Sequence, residues 1–343
     1  MTSPRVRVRV TVGVWAVLFG CPLVLGDWPI TQLTQLVSYG IFAMSLAFIW
    51  GQAGLLCFGQ AVFFGTGGYA MAAVTKGMIP ALSSGTVTGL ALAAALPAAI
   101  ALVAGRLMFA GKGLSGAYFA IVTLAAAAIV ERAASHWAFI GGFNGLLDVP
   151  PLTLRLGGRS IELVQPAPTC WVLLAAAAVI HGGLLWLERS PLGTVLRAIR
   201  DNERRTAYFG FGVAAYKTAS FAIGAGVAGV AGGLFVTQFG FVSPALIGVA
   251  LSTEVLIWTA LGGREVLLAA FLGALLVRAV EGALSDVLGS YWLLGLGLLF
   301  VLTVIVFPRG LLGRLLALPL PARLTRLSTP PPSSPNARVT ARA

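Results

Sequence analysis

Residues 190–217 read SPLGTVLRAIRDNERRTAYFGFGVAAYK. Apolar runs flank them, at 169–187 and at 218–238. The stretch itself is charged. Arg189, Arg197, Arg200, Arg204, Arg205 and Lys217 lie in or beside it, with Glu188, Asp201 and Glu203 among them. On a helix, Val195, Leu196 and Ile199 share one side, while Arg197, Arg200, Asp201 and Arg204 crowd the other. Pro191 suits the first turn, and Gly210 and Gly212 suit the end. The pattern is that of an amphipathic surface helix joining two membrane spans.

The rest of the chain supports this. Of its 343 residues, 58% are hydrophobic and only 10% charged, against about 25% charged in a soluble domain. Apolar runs of about 20 residues recur, the length a helix needs to cross a bilayer. Ten spans are expected, near 10–26, 31–50, 52–75, 84–105, 114–130, 169–187, 218–238, 246–262, 265–283 and 291–307. The fold class is therefore all-α and polytopic. Residues 1–9 form a basic cytoplasmic N-terminus and 10–307 a transmembrane domain with a cytoplasmic loop at 188–217. Residues 308–343 form a basic, Pro-rich tail whose composition is that of a disordered segment.

The net charge of +12 does not point to nucleic acid. The bases flank the spans: Arg5, Arg7 and Arg9 before the first, the 190–217 cluster, and Arg309, Arg314, Arg323 and Arg326 after the last. Alternating ten spans puts these groups on one side, so both termini are expected in the cytoplasm. The first apolar run lacks a convincing cleavage pattern and is read as a retained helix.

Motifs for enzymatic chemistry are missing. The segment Gly105–Gly113 has one residue too many between its glycines for a phosphate loop, and no Ser or Thr follows Lys112. His136 and His181 have no carboxylate or cysteine at ligand spacing, and Cys21, Cys57 and Cys170 have no metal spacing. No catalytic residue, metal or cofactor is expected. His181 and Glu254 fall within spans, where an ionisable group either serves a pathway or is held by a structural partner. Arg278 and Glu281, three residues apart, are expected to neutralise each other. Residues 224–233, GAGVAGVAGG, place small residues at four-residue spacing for close helix packing. Gln60, Gly65, Thr123, Asn144 and Glu254 are polar or small residues in or beside apolar spans, and they are the candidates for a translocation route or its mouth.

Six blocks then carry a resemblance. They are GLLCFGQAVFFGTGGYAMA at 54–72, GAYFAIVTLA at 116–125, GGFNGL at 141–146, SPLGTVLRAIRDNERRTAYFG at 190–210, AGVAGGLFVTQFGFVSP at 228–244 and FPRGLLG at 307–313. In this order, over roughly 30–313, they resemble the permeases of branched-chain amino acid ATP-binding cassette (ABC) importers of the LivH/LivM type, the LivM-like half above all. TEVLIWTALGGR at 253–264, with Trp258, and RTAYFG at 205–210 are similar to the urea- or amide-importing branch. Cys57, where serine is frequent, and Phe143, where smaller residues are common, depart from the pattern.

The resemblance implies a non-enzymatic transport subunit in a bacterial inner membrane. Its implied partners are a LivH-like second permease, two cytoplasmic ATP-binding subunits and a periplasmic substrate-binding protein, with membrane lipid around them and no nucleic acid. The 190–217 loop becomes the coupling element, with Gly193, Arg197, Arg200, Asp201, Asn202, Glu203, Arg204 and Gly210 as expected ATPase-coupling residues. The alternative is a self-sufficient, ion-coupled secondary transporter, which needs paired broken helices and intramembrane acids.

Overall fold

The computed structural model describes residues 4–80, 82–111, 116–156, 159–288 and 297. Eleven α-helices are described: α1 (Pro4–Val24), α2 (Asp27–Ala53), α3 (Gln60–Thr75), α4 (Thr86–Phe109), α5 (Ala117–His136), α6 (Pro166–Arg189), α7 (Pro191–Asp201), α8 (Glu203–Tyr208), α9 (Val213–Phe239), α10 (Val249–Gly262) and α11 (Leu267–Leu288). One antiparallel hairpin, β1 (Thr153–Leu156) with β2 (Arg159–Glu162), pairs Thr153 with Glu162 and Leu156 with Arg159.

The all-α membrane reading holds, with that hairpin as a small addition. Helices α1 to α6 and α9 to α11 coincide with nine of the ten expected spans. The run at 291–307, Gly297 apart, and the tail at 308–343 lie outside the described residues. Five of the helices, α2, α4, α5, α6 and α9, are long and apolar enough to cross a bilayer by themselves. The α10–α11 pair, bent by 117°, makes a sixth if taken as one span. At 16 residues, α3 is only about 24 Å long, less than a hydrocarbon core.

Burial separates a centre from a rim. Most of α2, α3 and α9 is buried, including Phe42, Phe48, Phe64 and Phe221 at 0–1% exposure. Helices apolar all round belong in the interior. By contrast α4, α5 and α6 bury one stripe and expose Val103, Leu107, Ile121, Ile129, Val179 and Trp186, the pattern of a lipid-facing ring.

The α3–α9 contact is backbone on backbone. A side chain at Gly67 would run into the Gly229 backbone, one at Gly232 into the Phe64 carbonyl, and one at Gly229 into the Ala93 carbonyl of α4. Without a hydrophobic drive between helices in lipid, small residues that admit such approach supply the packing.

The two ends of the bundle differ. At one, Lys76 after α3 donates to the Leu147 carbonyl at 2.5 Å, Thr86 accepts from the Thr153 N–H, and Leu146 bridges Val242. This is the hairpin end. At the other, the end of α2 meets α7 and the α10–α11 turn.

Candidate functional site

At the second end, α7 begins with Ser190 as N-cap and Pro191 in its first turn. Its buried residues are Gly193, Leu196 and Ile199. Gly193 must be small, because a Cβ would strike the Glu188 carbonyl. The stretch forms two helices where one was expected. Asn202 turns extended at φ −159° and ψ 98°, closing α7, and its Oδ1 accepts the Arg205 N–H at 2.9 Å, opening α8. An Asn side chain competes for backbone donors in this way and so favours a cap over a helix interior. Gly210, at φ 85°, follows α8.

The charges of this segment divide into two sets. Arg197 donates to Gln52 Oε1 at 3.2 Å, to the Glu188 carbonyl at 2.8 Å and to Thr194 Oγ1 at 3.3 Å. Gln52 in turn donates to Glu188 Oε1 at 2.8 Å. Arg200 donates to the Gly51 carbonyl at 2.5 Å, pairs with Asp201 at 3.3 Å and packs its stem against Gly54. Glu203 pairs at 2.6 Å with Lys217 of α9, whose side chain is only 4% exposed and lies over the Phe109 ring. These three residues therefore tie the segment to the bundle. Asp201, Asn202 and Arg204 are exposed. So are Arg205, Tyr208 and Phe209, the aromatic pair at 90% and 75%. Sequence reasoning did not place these last three among the ATPase-coupling residues. Their signal was there: two aromatics directly after a basic amphipathic helix, in a loop that leaves the membrane.

The expected route residues fall at three places. Gln60 and Thr123 both lie at a break between α2 and α3, where residues 54–59 leave the helix after Gly54 at φ 70°. Gln60 is fully buried, donates to Ser45 Oγ at 3.1 Å and to the Gly224 carbonyl at 3.4 Å, and leaves its Oε1 without a partner among the described residues. Thr123 accepts the Phe58 N–H at 3.1 Å, and Ser252 accepts the Ala61 N–H at 3.1 Å. Non-helical backbone within a bundle requires such partners. Replacing Thr123 with valine is expected to leave the Phe58 amide unsatisfied, at about 1–3 kcal/mol. Denaturant titration in micelles checks this, and Thr123→Ser should hold near the parent midpoint.

Gly65 is a packing residue, since its Cβ would strike Ile247 and approach the Leu246 carbonyl to 2.9 Å. Asn144 sits exposed at the hairpin end, in a short 3₁₀ turn.

Glu254 belongs to a third place. Arg278 of α11 reaches Glu281 at 2.9 Å and Glu254 of α10 at 3.7 Å. Its guanidinium lies 4.7 Å from the Tyr39 ring centroid and 5.7 Å from that of Trp258. The expected Arg278–Glu281 pair is present, and Glu254 joins it. With both carboxylates ionised, the three groups carry one net negative charge. His181, by contrast, accepts the Trp15 indole N–H at 3.2 Å and packs α1 onto α6.

Comparison with known proteins completes the description. The family described as branched-chain amino acid transport system / permease component matches residues 29–307. The high-affinity branched-chain amino acid transport system permease protein LivM of Salmonella typhimurium is 30% identical over 311 residues, 85% of this chain and 71% of that protein. The LivM protein of Escherichia coli matches to the same extent. The permease protein BraD of Pseudomonas aeruginosa is 31% identical over 145 residues, 42% of this chain and 47% of that protein. No solved structure matches.

Proposed function

Since this chain belongs to the family of branched-chain amino acid transport permease components, we propose that it is one translocation subunit of an ATP-driven importer in a bacterial inner membrane. It works beside a LivH-like second permease, two cytoplasmic ATP-binding subunits and a periplasmic substrate-binding protein, with both its termini in the cytoplasm. The cargo is a branched-chain amino acid, as the names of the similar permeases state for those proteins. Urea or a short amide is the competing cargo, suggested by the Trp258 block. The break at 54–60 and the Glu254–Arg278–Glu281 cluster are the polar places on the route, and Asn144 stands at its mouth.

One observation carries the reading: the α7–α8 segment leaves the bundle, is anchored to it by its inner charges, and presents Asp201, Arg204, Arg205, Tyr208 and Phe209 outward. Arg and Tyr are the residues that dominate protein–protein contacts. A lipid headgroup surface selects bases, whereas this face also carries Asp201 and two aromatic rings. An ATP-binding subunit supplies the groove such a face fits.

The test is co-expression with candidate ATP-binding and permease chains, followed by purification and uptake in proteoliposomes. Arg204→Glu with Phe209→Ala is expected to weaken capture of the ATP-binding subunit about 30-fold, equivalent to about 2 kcal/mol, while the bundle's melting temperature stays unchanged. Leucine uptake should require ATP inside the vesicle and compete poorly with urea. Uptake that follows an ion gradient without ATP would establish the secondary-transporter reading instead.

A further inference from the structure

We propose that Arg197 and Arg200 are positioning residues that transmit movement from α7 into the C-terminal turn of α2, and that this turn, Trp50–Gly54, is a joint shared with the α10–α11 turn. The proposal rests on the importer reading above and gives the two sets of side chains in the charged segment different roles. Arg204, Arg205, Tyr208 and Phe209 meet the partner, and Arg197 and Arg200 carry the displacement inward.

The geometry on both sides of that turn supports it. From α7, Arg200 donates to the Gly51 carbonyl, and its stem sits where a Cβ on Gly54 would approach it to 2.9 Å. Arg197 grips the Gln52 side chain and the Glu188 carbonyl together, so it links the end of α2 to the end of α6. The last carbonyls of a helix lack intrahelical partners and carry its negative pole, so a guanidinium there is held by charge as well as by hydrogen bonds.

From the opposite side, the backbone carbonyl of Arg264, in the α10–α11 turn, lies so close to Gly51 that a Cβ would strike it. The Arg264 guanidinium lies 5.0 Å from the Trp50 ring centroid. One helical turn is thus clamped between α7 and the α10–α11 turn. Beyond that turn, α10 and α11 carry Glu254 and Arg278. A displacement of α7 has a packed route to the ion cluster through two contacts.

There is room for the movement. A crevice of about 470 Å³ opens beside the joint, lined by Glu188, Arg197, Glu265, Val266 and His181 among others. The α7 helix and the α10–α11 turn therefore border open space on the side of α1 and α6, while their contact with α2 is tight. Packed elements that switch between two arrangements move as rigid bodies.

The experiment uses the reconstituted complex with its ATP-binding chains and its binding protein. For Arg197→Ala and Arg200→Ala, capture of the ATP-binding subunit should stay within about twofold of the parent. Basal ATP hydrolysis should persist, its stimulation by loaded binding protein should disappear, and uptake should fall at least about tenfold. Gln52→Ala combined with Arg197→Ala should be no worse than Arg197→Ala alone. Should an alanine variant not fold, Arg200→Lys gives the reading: it keeps a charged donor for the Gly51 carbonyl without the second arm toward Asp201, and it should capture normally with reduced stimulation. Loss of capture in the Arg197 and Arg200 variants, as expected for Arg204→Glu with Phe209→Ala, would make them partner contacts and overturn the proposal. So would stimulation and uptake at parent levels. A parent chain that captures no ATP-binding subunit would instead sink the importer reading itself, which separates the two failures.

Discussion

Gly232→Leu is expected to unfold the centre of the bundle, costing about 3 kcal/mol, the upper end of what overpacking does to a core. The side chain would enter the Phe64 carbonyl of α3, with the Phe64 carbonyl carbon at 2.7 Å from the first added atom. Backbone cannot swing aside as a side-chain tip can. To admit leucine, α9 must separate from α3, and this loosens the Gly67–Gly229 contact along the same face. Helix propensity runs the other way, because leucine is a better helix former than glycine by up to about 1 kcal/mol. The steric cost exceeds that gain. Gly183→Leu on α6 is the control, since a Cβ at Gly183 meets nothing within 4 Å. Denaturant titration of the purified chain in mixed micelles reads both variants. Equal midpoints for the two would show that the α3–α9 approach contributes nothing to stability.

That close approach was legible in the sequence, because GAGVAGVAGG repeats small residues at the spacing of one helix face. The spans were legible for a similar reason: a bilayer demands long apolar runs, and composition reports them directly. The break after Gly54 was not. The run Leu55–Phe58 is as apolar as a helix interior, so 52–75 reads as one span. The residues that stabilise the break, Thr123 and Ser252, lie on distant helices. The hairpin at 153–162 was missed as well, though Gly157 and Gly158 between alternating residues are a turn signal.

In the charged segment, helical structure and its end before Gly210 could be read, but the break at Asn202, the place of Gly193 inside α7 and the aim of the arginines could not. Gly193, Arg197 and Arg200 fall at i, i+4 and i+7, one stripe of a helix. A stripe beginning with a buried glycine was the available sign that these two arginines reach inward. Their long stems run along apolar surface and place the charge at the α2 terminus, a freedom that a pattern of charged and apolar letters does not record. Glu254 and Arg278 posed a harder case. They are 24 positions apart across a turn, and no periodicity links them.

Arg278→Met should be the most damaging single change at that cluster. Methionine preserves much of the arginine stem but removes the only cation within 4 Å of Glu254 and Glu281 among the described residues. Two carboxylates would then lose their shared counter-ion, next to the Tyr39 and Trp258 rings that the guanidinium had covered. Taking one partner from a buried ion pair costs about 3–5 kcal/mol, because the remaining charge is left uncompensated. With Glu281 buried but the Glu254 and Arg278 side chains 21% and 27% exposed, the cost here belongs at or below the lower end of that range. The triple change Arg278→Met, Glu254→Gln, Glu281→Gln removes all three charges and should recover most of the lost stability, since a buried pair replaced as a unit is often neutral. Unfolding midpoints decide this part: a single variant as stable as the parent would mean that the cluster is solvated and carries no structural load. The stable triple variant then tests the route. If the charges guide the solute's ammonium group, uptake by the reconstituted complex should fall at least about tenfold, while capture of the ATP-binding subunit and of the binding protein is unchanged. Normal uptake by a stable, charge-free bundle would place the route away from Glu254 and leave the cluster as a clamp between α10 and α11.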